Sequence, residues 1–153
     1  MTVEVKTSSA HGPGRAWVRR RVSEIARAAG TRAAEVSVLL CGDRRMRTLN
    51  RRYRGLDRPT DVLAFPARNG GAFLGDIAIC VPYASRQARR AGEPLSREVG
   101  RLLLHGLLHL MGYDHERDQG EMDGLEAKLQ RRLKMVPSVP PASPRGDRER
   151  GRA

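Results

Sequence analysis

Aromatic side chains are scarce in this chain: one Trp, three Tyr and two Phe make up 4% of its 153 residues. So few rings leave no obvious platform on which bases could stack, and they rule out a core built on ring packing. Hydrophobic residues reach only 39%. That supports one modest core of Leu, Val, Ile and Ala, hence one domain. No stretch approaches the roughly 20 apolar residues of a membrane helix. The opening MTVEVKTSSA has no apolar segment of the secretory kind, so the expectation is a cytoplasmic protein with no membrane partner. Cysteine occurs twice, as Cys41 and Cys80, each inside an apolar run (VSVLLC and IAICV). Both read as buried, reduced thiols, which excludes a disulfide framework.

Acidic charge is also in short supply. Against 29 Lys and Arg stand 17 Asp and Glu, a formal net charge of +12. Such an excess favours a polyanionic partner, because each cation placed on a phosphate releases counterions. Only three of the cations are lysines (Lys6, Lys128 and Lys134), so part of the excess also reads as the arginine bias of a genome rich in G and C. Residues 137–153, PSVPPASPRGDRERGRA, hold four Pro and four Arg with almost no large apolar side chain. They are expected to form a disordered tail outside a folded domain of residues 1–136.

Hydrophobic periodicity divides the domain. Thr2 to Lys6 alternates as a strand, and residues 14–29 form a helix on Val18, Val22, Ile25 and Ala29. Its other face carries Arg15, Arg19, Arg20 and Arg27. Glu35 to Cys41 reads as a buried strand. A second helix is predicted to start with Asp43 as N-cap and to turn Met46, Leu49 and Tyr53 inward. Val62 to Phe65 and Asp76 to Val81 read as a strand pair, and Pro82 opens a short helix to Ala91. Ser96 to Met111 is the most apolar helix, its leucines covering most of the circumference, with Gly112 as the residue that stops it. A last helix is expected from Asp118, with Asp118 and Glu121 as a capping box and Met122, Leu125, Leu129 and Leu133 buried. The fold class is α+β, a small mixed sheet packed by about five helices.

Histidine is rare as well, yet three of the four fall in one run: His105-Gly-Leu-Leu-His109-Leu-Met-Gly-Tyr-Asp-His115. His105 and His109 are four apart and share a helix face. Gly112 lets the backbone turn back and offers His115 to the same point. A single His on an apolar helix is usually a core residue satisfied by a hydrogen bond. Three at this spacing point instead to a metal, since burying two imidazoles one turn apart without a ligand leaves several nitrogens to satisfy. Three protein ligands with a fourth position for water are the layout of a catalytic zinc site. The spacing matches the metzincin pattern H-E-x-x-H-x-x-G-x-x-H at every ligand, but Gly106 stands where those proteases carry their glutamate base. Without that carboxylate a peptidase lacks its proton acceptor.

The run HGLLHLMGYDH resembles the signature of the bacterial endoribonuclease YbeY family. Two further segments resemble that family in the same order, Leu49-Asn-Arg-Arg-Tyr-Arg-Gly-Leu-Asp-Arg-Pro-Thr-Asp-Val-Leu-Ala-Phe-Pro66 and Leu74-Gly-Asp-Ile-Ala-Ile79. Ala64 departs from the Ser of many members. The resemblance spans roughly residues 3 to 135. It implies a single-domain, zincin-like metalloenzyme with one zinc on His105, His109 and His115. It further implies single-strand-specific endoribonuclease activity in 16S rRNA 3′-end maturation and 70S ribosome quality control. The family's functional arginine falls on Arg54, expected to neutralise the scissile phosphate. Implied partners are single-stranded RNA, small-subunit rRNA and the ribosome, with small-subunit ribosomal proteins and a ribosome-associated GTPase, and no DNA.

The residues themselves leave some roles open. Asp61 and Asp76 either orient a ligand histidine or cap turns. Asp114 and Glu116 flank the third histidine as candidate bases. A peptide hydrolase and a non-catalytic assembly factor braced by zinc are the competing functions, and Gly106 argues against the first.

Overall fold

Val3 and Val5 are buried while Glu4 and Lys6 face water, the alternation of a strand with one covered face. The computed structural model describes residues 1–9, 11–31, 35–68, 71–114 and 116–135, and the predicted tail lies outside them. The elements run β1 (Thr2–Thr7), α1 (Arg15–Ala29), β2 (Glu35–Cys41), α2 (Asp43–Arg54), β3 (Val62–Pro66), β4 (Phe73–Cys80), α3 (Val81–Ala91), α4 (Leu95–Leu110) and α5 (Glu121–Arg132). The four strands form one sheet in the order β1-β2-β4-β3. β2 is parallel to both β1 and β4, and β3 is antiparallel to β4. The α+β class and the mixed sheet are as the periodicity predicts.

One face of the sheet presents Val36, Val38, Leu40, Val62, Ala64, Ile77 and Ile79 to the main core. α4 fills that core. Every residue from Glu98 to Leu110 is buried, because the helix is packed against β3, β4, α1, α3 and α5. An apolar circumference is the pattern such a position demands. Gly112, at φ 100, turns the chain away after α4 as expected, its amide bonded to the His109 carbonyl. Arg101 and Glu98, both 1% exposed, pair at 3.4 Å inside the helix, and Arg101 Nη1 donates to the Met135 carbonyl. That bond fastens the chain beyond α5 to the central helix.

The opposite face is covered less completely. Met46 of α2 closes over Cys41, Leu63, Ala78 and Cys80. Both cysteines are free and buried, and burial pushes the Cys41 thiol up to about 11 and the Cys80 thiol higher still. Two expectations for α2 need correction. Gly42, not Asp43, is its N-cap. The Asp43 carboxylate takes the Arg86 fork instead, with Nη2–Oδ1 at 3.0 Å and Nη1–Oδ2 at 3.2 Å, two charge-assisted bonds in place of one amide bond. Tyr53 is 58% exposed and does not turn inward. Asn50 takes the buried place on the helix face, its Nδ2 donating to the Arg58 carbonyl at 2.9 Å.

α5 begins at Glu121, later than predicted, yet the capping residues act as expected in part. Asp118 accepts the Gly120 and Met122 amides, while Glu121 reaches back to the Gln119 amide, not to that of Asp118.

Candidate metal centre

His105 and His109 lie one turn apart near the C-terminal end of α4, 1% and 8% exposed. Their ring centroids are 4.8 Å apart with the planes inclined at 62°, so both imidazoles border the same small volume. His105 has a further partner from the last helix. Its Nδ1 stands 3.1 Å and 3.2 Å from the two carboxylate oxygens of Glu126. A carboxylate only accepts, so Nδ1 donates to it, and in the neutral ring that tautomer leaves Nε2 with the lone pair a metal requires.

His109 also borders a cavity of about 470 Å³ that Pro66, Tyr113, Asp114 and Asp118 help to line. A pocket beside imidazole donors, reached from outside, gives a substrate access to the centre. Asp114 is engaged there, accepting the Glu116 amide at 3.0 Å and pairing with Arg117 at 3.4 Å. Glu116 is exposed.

The structure brings together two of the four predicted site residues. His115 lies outside the described residues, and among the described residues no group of three His, Cys, Asp or Glu is arranged to hold a metal ion. Arg54 ends α2, which packs on the sheet face opposite to α4. It is half-buried.

Glu126 takes the orienting role at His105 that was offered to Asp61 or Asp76. Asp61 is buried against the Val62 amide and Gln87 Nε2, at 2.8 Å and 3.1 Å. Asp76 alternates with Ile77 and so faces away from α4. Glu126 was missed. The signal for it was an acid on the apolar stripe Met122, Glu126, Leu129, all three buried, at a position where a solvated carboxylate has no place.

The donor set suits a borderline ion of the zinc class: neutral imidazoles, one of them held by a carboxylate behind it. Fold and site together define an α+β domain whose central buried helix presents histidines beside an open pocket.

The comparisons with known proteins make the class specific. The family model for endoribonuclease YbeY matches residues 3–134. An endoribonuclease YbeY of an Anaeromyxobacter species is 47% identical over 135 residues, covering 83% of this chain and 70% of the relative. That of Koribacter versatilis is 49% identical over 113 residues, covering 74% of this chain and 73% of the relative. A Thermotoga maritima protein solved in solution superposes with a TM-score of 0.61 at 26% identity, covering 94% of this chain and all of that one. The chain belongs to the endoribonuclease YbeY family.

Proposed function

We propose that the chain is a zinc-dependent, single-strand-specific endoribonuclease with one zinc held by His105, His109 and His115. Its setting is the cytoplasm and its work 16S rRNA 3′-end maturation and 70S ribosome quality control. The ribosome, small-subunit proteins and a ribosome-associated GTPase are its partners. The catalytic unit is residues 1–136, with the Pro/Arg tail outside it. The observation that carries this reading is the contact of His105 Nδ1 with Glu126 at 3.1 Å, which directs Nε2 as a ligand atom; the family membership names the chemistry.

When bound, zinc supplies Lewis acidity toward a phosphoryl oxygen or a water of lowered pKa. Glu126 fixes the tautomer and the plane of His105. Arg54 brings a guanidinium fork to the phosphate as negative charge accumulates in the transition state. Gly106 leaves no carboxylate at the position after His105, which separates this site from the peptidases of similar spacing. The excess of +12 draws the RNA backbone without reading its sequence, so affinity falls steeply with salt.

The test is cleavage of single-stranded and double-stranded RNA by the purified full chain, with chelator and with zinc restored. Cleavage of the single strand alone, lost with chelator, regained with zinc and abolished in His115→Ala and Arg54→Glu, is the expected result. Undiminished cleavage in excess chelator would overturn it.

A further inference from the structure

The open face of the sheet carries a second cavity of about 390 Å³, sharing no lining residue with the one beside His109. It lies where α2 leaves the sheet uncovered. Two of the chain's few aromatic rings meet at it: Tyr53, 58% exposed, stands edge-to-face with Phe65 at 5.1 Å. The Arg52 guanidinium lies 5.8 Å from the Tyr53 ring centre. Lys6 and Arg45 line the same groove. Asp76, an exposed residue of β4 bonded to Ser37, lines it as well, its carboxyl held above the usual range by partial burial.

An exposed ring beside cations, with polar side chains along the same sheet face, is the set of contacts a nucleotide makes. We propose that this groove seats one base of a single-stranded RNA: Tyr53 stacks on the base, Arg45 and Lys6 take the flanking phosphates, and Asp76 with Ser37 meets the base's polar edge. The proposal rests on the endoribonuclease reading and adds to it a base-holding subsite apart from the metal centre.

Continuity with that centre comes through β3. Phe65 lines the groove and the next residue, Pro66, lines the cavity of His109. Successive strand residues face opposite sides of a sheet, and β3 is the edge strand. A strand of RNA with one base in the groove therefore passes around this edge to the histidines. Charge supports the occupant. Arg45, Lys6 and Arg52 gather at the groove against Asp76 and against Glu4, which pairs with Lys6 at 3.5 Å, and bases offer Tyr53 a face that an acidic peptide lacks.

A labelled single-stranded RNA and, separately, inorganic polyphosphate are titrated into full-length wild type, Tyr53→Phe, Tyr53→Ala and Arg45→Glu, with RNA cleavage followed in parallel. Tyr53→Phe keeps RNA affinity. Tyr53→Ala loses about tenfold or more for RNA and nothing for polyphosphate, while Arg45→Glu weakens both. A Tyr53→Ala variant that binds RNA like wild type, or that loses RNA and polyphosphate equally, overturns the proposal. If wild type cleaves RNA in that case, only the groove assignment fails. If wild type neither binds nor cleaves RNA, the endoribonuclease reading fails and this subsite with it.

Discussion

A Cβ on Gly106 would stand 3.0 Å from Cγ2 of Ile77 and 3.2 Å from its Cδ1. α4 lies so close on β4 that even a methyl group after His105 would press on Ile77. The glutamate that a metzincin carries at this point would have to enter the packed core. Gly106 thus serves the packing of the histidine helix on its sheet.

Gly106→Ala is expected to destabilise the domain by roughly 1 kcal/mol. Overpacking costs ~1–3 kcal/mol, and the better helix propensity of Ala offsets about 1 kcal/mol of it. Urea denaturation measures the change. Adding Ile77→Ala makes room, so the double variant should lose less stability than the two single losses added together. Strict additivity would show that the two positions do not crowd each other.

Glu126→Gln and Glu126→Ala are expected to lower zinc affinity about 10–100-fold, because the imidazole loses the group that sets its tautomer. Competition with a chromogenic chelator reads this directly. Circular dichroism of the metal-free variants checks that α5 remains docked. Wild-type affinity in a folded Glu126→Ala chain would remove Glu126 from the metal centre.

The Asp43–Arg86 pair predicts a pH dependence. The Arg86 hydrogen bonds hold the Asp43 carboxyl below its ordinary 3.8. A depressed acid stabilises the fold above its unfolded-state pKa and loses that contribution as pH falls through the lower folded value. The two side chains are 44% and 48% exposed, so the contribution is at most about 1 kcal/mol. Asp43→Asn should be less stable than wild type by that amount near pH 7, with the gap closing below the ordinary carboxylate range. A gap that persists at low pH would assign the effect to something other than the ion pair.

Gly75 has φ 144, and a Cβ there would run into the Phe65 carbonyl oxygen and lie 2.8 Å from Leu110 Cδ2. Gly75→Ala combines backbone strain with overpacking, a loss on the order of 3 kcal/mol. Thermal unfolding would show it. A variant as stable as wild type would mean that β3 shifts freely at Pro66.

Most elements were legible in the sequence because their burial is one-sided or total. Val3 and Val5 alternate, Val18, Val22 and Ile25 repeat at helical spacing, and the leucines of α4 go all the way round. The Leu74-Gly75-Asp76 segment also has a physical reason, since Gly75 alone permits the close approach of β4 to β3 and α4. What the sequence hid depends on distant pairing. The crossover that puts β4 between β2 and β3 is set by packing of the whole sheet. Asp43 gave up its cap for an arginine 43 residues away. Tyr53 and Phe65 meet as an edge-to-face pair only through the tertiary fold, so scarcity of aromatics did not mean their dispersal. Arg54 was placed by motif, and its place at the end of α2, on the sheet face opposite to α4, was not readable from spacing.

The bond between His105 and Glu126 joins residues 21 positions apart, with the acid on the last helix. During synthesis the imidazole emerges well before the carboxylate that orients it. A nascent or truncated chain ending before α5 has the histidine run but not the group that aims it. The proposed metal centre thereby stays unfinished until almost the entire domain has left the ribosome, the machine whose own RNA it is proposed to cut.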